Sequence, residues 1–332
     1  MASSQNILVI GAGELGHQVL RFLAQHPKHQ AITVSVLLRP ASPSLSPNDP
    51  KQKKLDSLQQ LGIHIVPADI VKDNEQALSS IFARYDTIIS CTGFVSGRGT
   101  QVKLTRAVLS SATGRTRTTR YIPWQFGVDY DIIGRGSAQD VFDEQLDVRD
   151  MLRSSSLQTK TNLQWTIIST GMFTSFLFEP SFGVVDLENT SICALGSWEN
   201  RVTLTTPADI GRITAEIVLS ESQSESATAS FSSDSNPDSG KVLFIGGDTI
   251  SYAELAALVE RIVQKPFHRS LLTVEDARNA LARDPGNALL KYQIVFGQGR
   301  GVWWDLEGTW NWQCGMRAMT AAEWAGENLN LV

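Results

Sequence analysis

Short apolar runs alternate with stretches of helical period through the first half of the chain. Residues 6–10 (NILVI) read as a strand, a helical stretch follows to about residue 25, and 32–38 (ITVSVLL) is a second strand. Residues 51–61 set Leu55, Leu58 and Leu61 on one helical face, with Gly62 where a C-terminal cap belongs. Further strands are predicted at 63–66, 87–90, 119–122 and 164–168, and helices at 74–83, 100–112 and 138–154. Strands alternating with helices of this length imply βαβ units, hence an α/β fold with a doubly wound parallel Rossmann sheet.

The second half is less regular. Residues 241–247 (KVLFIGG) read as a returning strand. Ser251 stands three residues before Glu254, a capping-box spacing that starts a helix to about residue 263, and Thr273 with Asp276 opens another short one. Residues 220–239 are dominated by Ser, Glu and Asp and predict an exposed, mobile loop, a segment that phosphorylation would also suit. The expected division is a dinucleotide-binding domain over 1–171, with 241–247 as its return strand, and a smaller, irregular substrate domain over 172–332.

Gly11-Ala12-Gly13-Glu14-Leu15-Gly16 closes the first strand and opens the first helix. In that context G-x-G-x-x-G is informative: the first glycine permits a tight turn, the second lets the backbone approach a pyrophosphate, and the third lets helix and strand pack closely. The helix N-terminus presents unpaired N–H groups to the phosphates. Gly11, Gly13, Glu14, Leu15 and Gly16 are therefore candidate cofactor contacts. The end of the second strand selects the cofactor. An NAD-type site places Asp or Glu there; this chain has Leu38-Arg39-Pro40, then a proline-rich loop and Lys51. A guanidinium suits a 2′-phosphate, and one charge-assisted bond gives a roughly ten- to hundredfold preference for NADPH over NADH.

Ligands of doubly wound sheets sit outside the carboxyl ends of the strands. Those ends carry Cys91-Thr92-Gly93-Phe94, Pro123-Trp124-Gln125-Phe126-Gly127 and Ser169-Thr170-Gly171-Met172-Phe173. Glycines beside aromatic rings predict a flat apolar wall that suits a planar, aromatic or polyketide-like substrate, although such rings also cap cores. Thr92, Gly93, Phe94, Gln125, Phe126 and Gly127 are candidate cofactor contacts; Phe94, Trp124, Met172 and Phe173 are candidate substrate contacts.

Residues 120–127 (RYIPWQFG) resemble the RFLPSEFG segment of isoflavone reductase-like proteins, atypical short-chain dehydrogenases related to phenylcoumaran benzylic ether reductases and NmrA-like proteins. Asp49-Pro50-Lys51, 86–93 (DTIISCTG), Gln101-Val102-Lys103-Leu104, Asp209-Ile210-Gly211 and Ser251-Tyr252-Ala253-Glu254-Leu255 extend the likeness over about 6–280, and the fungal aromatic alcohol reductases look most similar. The resemblance implies an oxidoreductase that uses NADPH to reduce small aromatic secondary metabolites, with Arg39 and Lys51 near the 2′-phosphate.

Two departures stand out. The glycine loop is one residue shorter than the family's G-x-x-G-x-x-G. The family's general base is a lysine within F-x-x-K-x-x-[IV]-R, and here the stretch 142–149 (FDEQLDVR) puts Gln145 at that position. An amide donates and accepts hydrogen bonds but does not carry a proton through a cycle near neutral pH. No Tyr-x-x-x-Lys pair replaces it: Gln125 follows Tyr121 and Gly134 follows Tyr130 at that spacing. Three uses of the scaffold follow. One is reduction with Gln145 orienting a carbonyl or phenol and the proton coming from water, Tyr130, Asp129 or Asp143. Another is a redox-neutral isomerisation or cyclisation, and the last a cofactor-binding sensor of the NmrA-like kind. Aromatic strand ends have little purpose in a sensor and favour the reductase, for which Gln145, Tyr130 and Trp124 are candidate catalytic residues.

Composition narrows the partners. The 332 residues are 42% hydrophobic and 19% charged, as in globular proteins, and a net charge of −5 argues against nucleic-acid binding. No apolar run approaches the ~18–20 residues that span a bilayer. Cys91, Cys193 and Cys314 form no C-x-x-C pair, and the five histidines show no ligand spacing, so neither a metal nor a disulfide framework is expected and a reducing cytoplasm is the simplest location. Eight tryptophans are present, five of them in the last thirty residues. Among these, Trp304 and Trp312 are candidates for the far wall of the substrate pocket, for a homodimer contact, or for bulk core.

Overall fold

The computed structural model describes residues 4–40, 49–154, 161–219 and 240–329; the Ser-rich segment 220–239 and most of the proline-rich loop lie outside them. Two compact units are interleaved along the chain. The first comprises 1–125, 147–167 and 210–242, and the second 126–146, 168–209 and 243–332. The second unit thus begins at residue 126, ahead of a boundary near 171, and the chain passes between the units repeatedly.

The first unit is built on the expected doubly wound sheet. Its strands are β1 (Gln5–Ile10), β2 (Ile32–Leu38), β3 (His64–Pro67), β4 (Thr87–Ser90), β5 (Thr119–Ile122) and β6 (Leu163–Ser169), which runs on into the second unit. Across the sheet the order is β3-β2-β1-β4-β5-β6, with the short strand Lys241–Phe244 at the outer edge beside β6. The pairs from β3 to β6 are parallel; Leu8, for example, pairs with Ser35 of β2 and Ile88 of β4. The last four residues of β1 and all four of β4 are buried, as expected of parallel strands covered on both faces. Strand order reverses between β1 and β4, and this switch point is where such sheets take ligands. Helix Glu14–Gln25 buries Leu15, Val19, Leu20 and Leu23. Elsewhere in the unit, Leu78, Phe82, Leu104, Val108, Val148 and Leu152 pack with Leu8, Ile88 and Tyr121.

Two contacts fix the helix Pro207–Leu219. Gly211 meets helix Glu14–Gln25 backbone to backbone, since a Cβ there would stand 2.7 Å from the carbonyl carbon of Gln18. The carboxyl end of the helix is held by cations: Arg120 donates to the carbonyls of Val218 (2.8 Å) and Ile217 (3.2 Å), and Lys28 Nζ to that of Leu219 (3.0 Å).

The second unit holds two three-stranded sheets. In one, Arg201–Thr205 pairs antiparallel with Asp248–Ser251 and parallel with Met172–Phe173; in the other, Ser191–Leu195 pairs parallel with His268–Leu272 and antiparallel with Val185–Asp186. Ser251 and Glu254 make the capping box their spacing predicts, and Thr273 accepts from Asp276 N (3.1 Å). Three differences have local causes. The helix predicted from 138 starts at Phe142, because Gly136 takes φ +68° and Phe142 N closes a turn onto Gln139 O. The strand predicted to reach 247 stops at Phe244, since Asn311 clasps both the N–H and the carbonyl of Gly246 (3.0 Å each). Helix Ala288–Gly297 (ALLKYQIVFG) is apolar on almost every face and leaves no period to read. No helix among the described residues is long and apolar enough to cross a membrane.

Candidate active site

Different demands meet on the glycine loop. Gly11 ends β1 at φ +90°, where a Cβ would stand 2.8 Å from Thr92 Oγ1. At Gly16 a Cβ would collide with the carbonyl oxygen of Gly11, so only glycine lets helix Glu14–Gln25 start this close to β1. Gly13 has φ −65°, caps the helix without a side-chain bond, and has nothing within 4 Å of where a Cβ would be. Two closed positions around an open one form a cradle at a helix N-terminus, where partial positive charge attracts phosphate. These residues fit a dinucleotide pyrophosphate. Leu15 is core and Glu14 is exposed in the first turn.

Arg39 is exposed immediately after β2, and the side chain of Lys51, in helix Pro50–Gln60, lies outside what the structure describes. The acid near Arg39 is Asp69, whose carboxyl is held below its usual range mainly by the N–H of Val71, with smaller contributions that include Lys72 and Arg39. At the switch point Thr92 Oγ1 donates to Ile10 O (3.1 Å), tying β4 to β1, and Gln101 Nε2 holds Thr92 O (2.7 Å). Gly93 supports the edge of the Trp124 indole, whose Cζ2 would lie 3.1 Å from a Cβ. Phe94 follows, half-buried. Cys91 is buried, which pushes its thiol pKa well up and leaves it inert.

Gln125 and Arg149 are both fully buried, and Arg149 Nε donates to Gln125 Oε1 (2.9 Å). Gln125 stands where the resembled segment has glutamate. Sequence reasoning named Gln125 and passed over Arg149, although Arg149 closes the F-x-x-K-x-x-[IV]-R stretch that holds Gln145.

In the second unit, Phe126 is buried, and the carbonyl of Gly127 accepts from the N–H groups of Thr170 (2.8 Å) and Gly171 (3.0 Å). A Cβ on Gly127 would come within 2.7 Å of the Tyr130 hydroxyl, so that phenol lies directly against the Gly127 backbone. Asp129 caps the turn Tyr130–Ile133, accepting from Asp131 N (3.1 Å), and Asp143 Oδ1 accepts from Gly136 N (3.0 Å). Both carboxylates thus hold backbone. Gln145 is fully buried. A ladder of rings leads away from Tyr130: Phe142 edge-on at 4.9 Å, Tyr292 at 5.8 Å from Phe142, Phe176 at 6.1 Å from Tyr292, and Phe182 at 4.6 Å from Phe176. Burial pushes the Tyr292 phenol up to about 12, so it stays neutral. Phe176 and Tyr292, missed by sequence reasoning, come from elements that carry no motif. Met172 is buried and Phe173 half-buried, and the Ser169 and Thr174 hydroxyls are buried with no hydrogen-bond partner among the described residues.

The two tail tryptophans part company. Trp304 is half-buried, donates Nε1 to Ile245 O (3.1 Å) and stands edge-on to Phe244 at 4.9 Å. Trp312 is 57% exposed. Among the described residues no three His, Cys, Asp or Glu converge as a metal site.

Sheet order and glycine loop together define a Rossmann-type α/β chain. The model of the NmrA-like family matches residues 3–303, and the chain belongs to that family. It is 44% identical over 330 residues, 99% of each chain, to an NmrA-like family domain-containing oxidoreductase of Gibberella moniliformis. Among solved structures, the leucoanthocyanidin reductase–NADPH complex of Vitis vinifera superposes with TM-score 0.72 at 19% identity, over 97% of this chain and 98% of that one. The quinone oxidoreductase QOR2 of Escherichia coli, complexed with NADPH, gives 0.67 at 20% identity over 98% and 100%. AtPrR2 with NADP+ and (+)pinoresinol gives 0.63 at 18% over 90% and 87%. At these identities the likeness is one of fold.

Proposed function

We propose that the protein is an NADPH-dependent reductase of a small aromatic or conjugated carbonyl compound. The observation that carries this is the cradle at Gly11–Gly16, open only at Gly13, with exposed Arg39 at the next strand end. The oxidoreductase name of the fungal relative and the NADPH-bound structural neighbours support the same reading. Gly11, Gly13, Glu14, Leu15 and Gly16 flank the pyrophosphate, Arg39 and Lys51 take the 2′-phosphate, and Thr92, Gly93, Phe94, Gln125, Phe126 and Gly127 complete the cofactor contacts. Bound there, NADPH would supply the hydride for reduction of a carbonyl.

The chain's own residues deal with the carbonyl oxygen. Gln145, buried and uncharged, donates its amide hydrogen bond and orients the substrate without moving a proton. The Tyr130 hydroxyl, set against Gly127, delivers the proton to oxygen and is recharged from solvent. Asp129 and Asp143 hold backbone N–H groups rather than act as acids. Phe94, Trp124, Met172 and Phe173 are the substrate contacts, so much of the catalysis is positioning.

The test is NADPH oxidation against a panel of aryl ketones, enones and quinones. The wild type turns over at least one class, prefers NADPH to NADH about tenfold or more, and loses that preference in Arg39→Ala. Tyr130→Phe lowers kcat about a hundredfold with cofactor affinity intact. Equal affinity for the two cofactors, or activity that arises only in Gln145→Lys, overturns the reading.

A further inference from the structure

The exposed Trp312 lines a cavity that the proposed reductase site does not use. This cavity, of about 400 Å³, lies wholly in the second unit, and its lining includes none of the rings around Tyr130 and none of the strand-end segments. Its apolar side is Leu306, Trp312, Met316 and Ala318, and its polar side is Asp248, Asn311 and Arg317. The volume falls within the ~300–1,000 Å³ of small-molecule sites.

The walls are held in place. Asn311 is 3% exposed, clasps Gly246 and also donates to Met316 O (3.3 Å). Asp209 accepts from Met319 N (2.9 Å), and Thr320 with Glu323 forms a capping box that starts the helix Ala321–Asn328. The loop carrying Met316 and Arg317 is therefore anchored along its length.

The polar groups select the ligand. The Asn311 amide is spent on backbone, and Arg317 is paired with Glu323. Asp248 is different: its two oxygens accept single N–H bonds, from Thr249 (2.8 Å) and Ala321 (2.9 Å). A carboxylate has about four acceptor positions, so Asp248 retains capacity for a donor. An indole face and a thioether favour a flat ring. The geometry points to a second binding site, for a small neutral aromatic bearing a hydroxyl, with its ring on Trp312 and Met316 and its hydroxyl donating to Asp248. An aryl carboxylate fits less well, because it is repelled by Asp248 and has to compete with Glu323 for Arg317.

Fluorine NMR of the fluorotryptophan-labelled full chain tests this, with Trp312→Phe assigning the signal and naphthol as the probe. The Trp312 signal shifts saturably, with the same midpoint in the presence and absence of NADP+, and naphthoate binds about tenfold more weakly or worse. Asp248→Asn weakens naphthol about tenfold, and exposed Trp312→Ala, read by equilibrium dialysis, does the same without disturbing the fold. No saturable shift, naphthoate binding as tight as naphthol, or a Trp312 signal that moves with protein concentration alone (a second copy covering it) overturns the proposal. Because the binding is read without cofactor or turnover, its failure is separate from failure of the reductase reading.

Discussion

Gly13 and Gly16 sit three residues apart in the same loop, yet the structure gives their hydrogens opposite jobs. At Gly16 a Cβ would meet the Gly11 carbonyl, so Gly16→Ala costs several kcal/mol as strand and helix are forced apart, about the size of an overpacked core. At Gly13 the space is open and φ is ordinary, so Gly13→Ala folds with unchanged melting temperature and instead weakens NADPH about tenfold or more by filling the phosphate cradle. Thermal melts and cofactor titration of the pair separate the two effects; equal melting loss in both would contradict this division. The motif letters were enough to mark the tight turn at Gly11 and the close packing at Gly16, since each follows from its place in the turn. Gln145 was legible as a departure at a motif position. Tyr292 and Phe176 were not legible, because what matters about them is a ring ladder joining three separate segments, and no local pattern encodes it.

At the level of elements, polar residues of the resembled motifs act as fasteners. Lys103 Nζ bonds the carbonyls of Ile70 (2.9 Å) and Val71 (3.0 Å), Gln101 holds Thr92, and Arg120 closes the carboxyl end of helix Pro207–Leu219. Burial lowers the Arg120 pKa, and removing the guanidinium leaves two carbonyls short of donors. Arg120→Ala is therefore expected to cost about 2–6 kcal/mol in urea unfolding, at about 1–3 kcal/mol for each unsatisfied group, while NADPH affinity stays within about twofold. A large loss of affinity at unchanged stability would instead place Arg120 at the ligand. The strands and helices of the first half were readable because periods of two and 3.6 and cap chemistry agree along them. Strands as short as Met172–Phe173 and Val185–Asp186 have no period, and Ala288–Gly297 is apolar all round, so tertiary pairing rather than local pattern decides them.

For the whole molecule the decisive property is interleaving. The first unit takes 210–242 from far along the chain, and that stretch supplies most of the helix that packs at Gly211 and the start of the sheet's edge strand. A chain ended after Gly171 keeps the glycine loop but lacks those covers, leaving β6 as an open edge. It is expected to aggregate or stay molten, by size-exclusion chromatography and near-UV circular dichroism, whereas the full chain is folded. A soluble, NADPH-binding fragment would show that the first unit is complete without its late segment. The same arrangement bears on synthesis. A domain made of one continuous stretch can fold as soon as it leaves the ribosome, but this sheet cannot gain its last strand until residue 244 has emerged. Until then the nascent chain exposes the flank of β6, and the need for shelter by a chaperone is set by the order in which the strands are made.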